Sequence, residues 1–377
     1  MARPSTTTAQ AASATPTARK GGVIVRGLPG TAAAAVLPPT VELDVRTAYD
    51  FLLSLVTEPD AEQLPADREW LQRALEGLSA GVRRDLRLVF GGEHKKGFGS
   101  AIVPLIVERP EVRTAADVVA LAASLGPTDL VQPFCCELDL DMGELLDRIV
   151  AGERELIPEA LGRIEELEVR EALERFLDDP AGYHRATIRV LRAWREQFEA
   201  IEGRVGRFIE RDAAARRPEL ETVAPFDFIE RASGGVRWAP DATLRRVVMA
   251  PSYFARPYNM LFAGEGWRML CYPISDAALE ADASAVPPST VRLFRALGDE
   301  SRLRILRHLA DGDLYLTEIA ERMGLSKPTV AHHLARLRAA GLVTVSETGG
   351  LTYFSLRRDR LAQVDEGLRR YLGLAQA

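Results

Sequence analysis

The 377-residue sequence predicts a mainly α protein: a large helical N-terminal domain carries a small antiparallel β segment and precedes a C-terminal α+β module built on a helix-turn-helix. Three observations point there. Before Gly234 apolar residues recur at steps of three and four, most clearly at Leu191, Trp194, Phe198, Ile201, Val205 and Phe208. From Gly234 the period falls to two, in short aromatic and β-branched runs separated by turn residues. Beyond Pro288 helical spacing returns in short pieces, followed by two β-rich runs around Gly349-Gly350. The organisation read from this is a tail over 1–39, a helical domain over 40–233, a β-rich segment over 234–280 packed on it, a linker over 281–289 and a terminal module over 290–377.

The tail is rich in Ala, Thr, Ser, Pro and Gly without a sustained apolar face, and is expected to be disordered. Helices follow with Val45, Ala48, Tyr49, Leu52 and Leu55 on one face, then Trp70, Leu71, Leu75 and Leu78. Gly91 to Ser100 is a glycine-rich loop containing His94, Lys95 and Lys96. It fails the phosphate-loop test, because no Gly-Lys-Ser/Thr ending is present and the lysines precede the glycine they should follow. Helices are again expected over Ala115–Leu125 and Met142–Val150.

Cysteines are sparse: Cys135 and Cys136 are adjacent and Cys271 stands alone. Adjacent side chains on a regular element point apart, which suits burial better than a zinc site. An odd count without an export signal predicts a reducing, cytoplasmic setting. No apolar run approaches the length of a membrane span.

The long helix expected over Ala181–Arg211 presents a continuous seam, which demands a continuous partner. An intrachain bundle is favoured, because Gly203 and Gly206 weaken a freestanding coil. His184 sits on the same stripe, where hydrogen-bonded packing is the ordinary role. In the β segment, Val236-Arg-Trp238, Arg245–Met249, Met260–Ala263 and Trp267–Tyr272 are the expected strands. Tyr253, Phe254, Tyr258, Phe262 and Trp267 concentrate there in a chain only 7% aromatic, a density that suits a tight core or the wall of an apolar ligand pocket.

The terminal module centres on Thr317 to Leu337. Ile319, Ala320 and Met323 give one short apolar face, Gly324 a permissive turn, and Ser326 an N-cap oxygen for a second helix. In that helix Val330, Leu334 and Leu337 face inward and Pro328, Thr329, His332 and Arg336 outward. A small, polar, cationic face is what a helix needs to enter a major groove. Val343–Glu347 and Leu351–Leu356 around a Gly-Gly turn read as a β-wing, and Asp299 as the N-cap between two upstream helices. Residues 290–377 carry 14 Lys or Arg against 10 Asp or Glu, a net of +4 in a chain of −6, which leaves −10 for the remainder. A basic module on an acidic body confines phosphate attraction to the module.

The Phe-x-Ala-Leu-x-Asp-x-x-Arg-Leu-x-Ile-Leu run, the Ser-x-x-Thr-Val-x-x-His-Leu helix and the Gly-Leu-Val wing entry together resemble the ArsR-type winged helix-turn-helix repressors, over roughly residues 290 to 374. The resemblance implies a homodimer through the first and last helices of the module, where Val291, Leu293 and Phe294, and Val364, Leu368, Tyr371 and Leu372, supply apolar faces. It implies double-stranded DNA as partner, with an inverted-repeat operator whose half-sites lie about 10 bp apart. Ser326, Lys327, Thr329 and Arg336 are the expected phosphate or base-edge contacts, His332 the base reader, and Pro328 and Ala331 apolar contacts. Where metal-sensing members carry a Cys-x-Cys pair, Tyr315 and Thr317 stand here, and Asp365 and Glu366 in the last helix lack a histidine, so no metal and no cofactor are expected.

No Gly-x-Ser-x-Gly, His-Glu-x-x-His or dinucleotide fingerprint occurs, which argues against an enzyme. The expectation is a dimeric transcriptional repressor whose N-terminal body responds to a non-metal small molecule or a partner protein. An enzyme with a regulatory DNA-binding tail, and a structural platform carrying a DNA reader, are the alternatives.

Overall fold

The computed structural model describes residues 38–57, 65–91, 97–137, 141–236, 243–279, 286–348 and 351–374. The N-terminal tail up to residue 37, the His94-Lys95-Lys96 loop, Trp238, linker residues 281–285 and the Gly349-Gly350 turn lie outside these.

The chain opens with β1 (Thr40–Leu43) and continues through α1 (Thr47–Val56), α2 (Pro65–Gly77), α3 (Ala80–Phe90), α4 (Ile102–Val107), α5 (Ala115–Ser124), α6 (Gln132–Glu137), α7 (Gly143–Ala151), α8 (Ile157–Gly162), α9 (Leu167–Asp178), α10 (Pro180–Thr222) and α11 (Pro225–Ala232). Helix α10, with 43 residues, is the axis of the domain. Pro180 occupies its first turn and the Asp179 carboxylate accepts from the Gly182 amide at 2.8 Å. All six seam residues from Leu191 to Phe208 are buried. They pack on α1, α3 and α5 of the same chain, so the seam is satisfied internally. Trp194 donates to the Ser54 hydroxyl at 2.8 Å, and Phe51 meets Phe198 edge-on at 5.5 Å. The helix runs eleven residues past the expected end at Arg211. Buried Asp212 holds it there, accepting from Arg216 Nε and from the Ser275 amide, both at 2.8 Å.

The sheet differs from the expected antiparallel one. Its order is β1, β2 (Arg246–Ser252), β4 (Trp267–Pro273), β3 (Met260–Gly264), with β1–β2 and β2–β4 parallel and only β3–β4 antiparallel. The continuous buried runs Val247–Ala250 and Met269–Tyr272 belong to strands covered on both faces, as parallel strands are. Val236 is not part of this sheet; it bridges in parallel to Val345, in the other module.

The aromatic residues read as a core or a pocket wall are packed ring on ring. Tyr253 stacks on Phe208 at 5.6 Å, Phe254 lies 5.4 Å from Trp70, and Phe262 and Trp267 are buried in the same cluster. Tyr258 is half-buried. Polar ties reinforce the packing. Asp50 of α1 accepts from the Ser252 hydroxyl at 2.7 Å and the Phe254 amide at 2.8 Å, while Asp67 of α2 accepts from Tyr253 and pairs with Arg256 at 2.8 Å.

The terminal module has its own core. It comprises α12 (Pro288–Leu297), α13 (Glu300–Asp311), β5 (Leu314–Tyr315), α14 (Leu316–Met323), α15 (Lys327–Ala339), β6 (Val343–Thr348), β7 (Leu351–Leu356) and α16 (Arg358–Tyr371). Asp299 caps α13 as expected, accepting from the Arg302 amide at 3.0 Å. The wing is a three-stranded antiparallel sheet in the order β5-β7-β6; the two-residue β5 is an addition to the expected hairpin.

Candidate nucleic-acid interface

Helix α14 begins where the Tyr315 amide donates to Glu318 at 3.1 Å and ends at Gly324, whose φ of 65° is left-handed and open to glycine at little cost. The Gly324 amide closes onto the Ala320 and Glu321 carbonyls, and the Leu325 amide onto Ala320 at 3.1 Å. That closure reverses the chain. Ser326 then caps α15, accepting from the Thr329 amide at 3.3 Å while its hydroxyl lies 2.8 Å from that of Thr329. Val330, Leu334 and Leu337 are fully buried and fix the rotation of α15 about its axis.

With that stripe inward, Ser326, Lys327, Pro328, Thr329 and His332 are exposed, and Ala331 and Arg336 half-exposed. The residues expected to meet DNA therefore lie on the side away from the buried stripe, all but Arg336 of them at the cap and in the first two turns. The helix N-terminus adds partial positive charge where Lys327 stands, which favours phosphate. Arg336 Nε donates to His332 Nε2 at 3.1 Å. With Nε2 accepting, a neutral His332 carries its proton on Nδ1, a donor matched to purine N7 or to the O6 and O4 carbonyls of guanine and thymine. His333 is turned away from this face. Its Nδ1 lies 3.8 Å from the Asp299 carboxylate, which the Arg302 amide holds below the usual range.

Helices α12 and α16 pack side by side, and the residues expected at a dimer interface divide between inside and outside. Phe294, Tyr371 and Leu372 are exposed, at 41%, 41% and 55%. Val291, Val364 and Leu368 are half-buried. Leu293 is corrected: it is 7% exposed and belongs to the module's own core, one helical step round from Phe294. Leu303 on α13 and Leu374 after α16 are also exposed and were not singled out by the sequence, since isolated leucines carry no periodic signal.

In the body, a hollow of about 280 Å³ lies at the start of α10, lined by Asp85, Arg175, Asp179, Tyr183, Arg185 and Arg189 among others. Its charges are largely matched: Arg189 pairs with Asp85 at 2.8 Å and Arg185 approaches Asp179 at 3.9 Å. It contains none of the aromatic residues expected to line a pocket. Among the described residues no group of three or more His, Cys, Asp and Glu side chains converges, and Asp365 is engaged by Arg369 at 2.7 Å. No described helix is long and apolar enough to cross a membrane.

Comparison with known proteins bears on this module alone. The profile of the family described as bacterial regulatory protein, arsR family, matches residues 299–345. The HTH-type transcriptional regulator KmtR of Mycobacterium tuberculosis is 36% identical over 74 residues, which cover 20% of this chain and 57% of KmtR. The chain thus spans little more than half the length of that relative. The transcriptional repressor SdpR of Bacillus subtilis is 38% identical over 64 residues, covering 17% of this chain and 71% of SdpR. An ArsR-like transcriptional regulator from Rhodococcus sp. RHA1 is a structural neighbour at 30% identity and a TM-score of 0.22, covering 23% of this chain and 80% of that one.

Proposed function

The chain belongs, through its C-terminal module, to the arsR family of bacterial regulatory proteins, and on that premise we propose that it is a dimeric, sequence-specific DNA-binding repressor. The observation that carries the reading is the single exposed face of α15, small, polar and cationic, held in place by the buried stripe on its other side. Ser326, Lys327 and Thr329 position the helix on phosphates, His332 reads a base edge, Pro328 and Ala331 meet apolar groups such as a thymine methyl, and Arg336 orients His332. Two copies associate through the α12–α16 face carrying Phe294, Tyr371 and Leu372, which offers each protomer apolar area for burial.

The N-terminal body is the responsive part in this reading. A partner protein suits it better than an apolar small molecule, because Tyr253, Phe254, Phe262 and Trp267 already fill one another's space. No catalytic role and no metal are assigned to it. The test is selection of bound duplexes from a random pool by the full-length protein. An enriched inverted repeat with half-site centres about 10 bp apart is expected; a pool without a shared motif after several rounds would refute sequence-specific reading.

A further inference from the structure

The body grips the DNA-binding module at two points. After α11 the chain passes through Gly234, Gly235 and Val236, which lie along the free edge of β6. Val236 bridges to Val345, the Thr344 hydroxyl donates to the Gly235 carbonyl, and Arg357, just after β7, donates to the Gly234 carbonyl at 2.6 Å. The body holds the loop from its own side: Asn259 Nδ2 donates to the Ser233 carbonyl at 3.0 Å and the Val236 amide to the Ser233 hydroxyl at 2.9 Å. The second grip is at the end of the recognition helix. Arg338, in the last turn of α15, is half-buried; burial draws its guanidinium down to about 10, with Tyr258 of the body acting in the opposite direction.

The loop takes hold of an arginine of a module whose DNA affinity depends on cations. The Arg357 side chain is only 14% exposed, between the Gly234 carbonyl and Asp359. Both grips lead to one segment of the body, since Tyr258 and Asn259 are adjacent and directly precede β3.

We infer that the Ser233–Val236 loop is an autoinhibitory clasp: while it is seated on the wing edge, Arg357 is withheld from DNA, and its release raises affinity for duplex. This rests on the DNA-binding reading. By linkage, DNA binding favours the open form in turn.

Two variants open the clasp from opposite sides. Gly235→Ala places a Cβ 3.0 Å from Arg357 Cδ at a residue with φ of 118°, where an L side chain is strained. Thr344→Val removes the donor to Gly235 with little change of shape. In the full-length protein, amide exchange at 233–236 should quicken in both. Affinity for duplex should rise on the order of 10-fold, and the slope of log affinity against log salt should steepen by about 1. Faster exchange with unchanged or weaker DNA binding overturns the clasp and leaves the regulator reading standing, as does exchange that stays slow in both variants. If the unaltered protein and both variants bind no duplex at any salt, the regulator reading fails and the clasp with it.

Discussion

In the proposed reading His332 contacts a base edge and Arg336, whose Nε donates to His332 Nε2 at 3.1 Å, orients its ring. His332→Ala should cost about 1–3 kcal/mol of discrimination at one base pair while barely changing non-specific affinity. Equal losses on specific and random duplex, measured by titration at one salt concentration, would contradict that. Asp50 makes a separate residue-scale prediction. It is fully buried, its Oδ2 has no hydrogen-bond partner among the described residues, and desolvation pushes its carboxyl up to about 6. The folded chain then binds that proton more tightly than the unfolded chain, so the stability linked to Asp50 is present below about pH 4 and lost as pH rises through about 6. Asp50→Asn should be more stable than the parent at pH 7.5 by about 1–3 kcal/mol and gain nothing at pH 4; an equal shift of thermal midpoint at both would reject the assignment. Neither Asp50 nor the split between Leu293 and Phe294 was legible in the sequence. Adjacent helix residues point about 100° apart, and periodicity gives the apolar face without saying which edge meets the protomer's own core.

At the scale of elements, the turn between α14 and α15 was legible because glycine, cap and apolar steps agree at every position. Its left-handed Gly324 predicts that Gly324→Val costs about 1–2 kcal/mol, lowering the melting temperature of the C-terminal module and weakening DNA binding together. A melting temperature unchanged by circular dichroism would mean the turn adopts another conformation. Helix α10 was legible over its apolar seam and illegible beyond Arg211, where a buried carboxylate, Asp212, takes over from hydrophobic spacing. The sheet was misread for a related reason. β1 has four residues, too few for a period to register, and its parallel pairing with β2 joins positions about 200 apart in the chain. The tight Gly264-Glu265-Gly266 connection did mark the one antiparallel pair, β3–β4.

At the scale of the whole molecule, the place of the DNA-binding module in the chain could be read from its motifs, but its docking on the body could not. Val236-Arg-Trp238 carries the signal of an ordinary strand, and nothing local says that the partner of Val236 is the wing. The aromatic cluster was ambiguous for the opposite reason: a core and an empty pocket are built from the same residues, and only packing separates them. The exposed α12–α16 face makes a prediction at this scale. Phe294→Asp combined with Leu372→Asp should give a monomer by sedimentation and reduce affinity for an inverted repeat on the order of 100-fold, with half-site binding retained. A dimer of unchanged mass would move the interface elsewhere.

The central claim is that α15 reads sequence. Its most direct test is footprinting of the purified full-length protein on DNA upstream of its own gene, at low and at physiological salt, beside the His332→Ala variant. The account predicts a protected inverted repeat that survives the higher salt and is lost or relaxed in the variant. Diffuse protection that disappears with salt in both proteins would leave only phosphate attraction and contradict it.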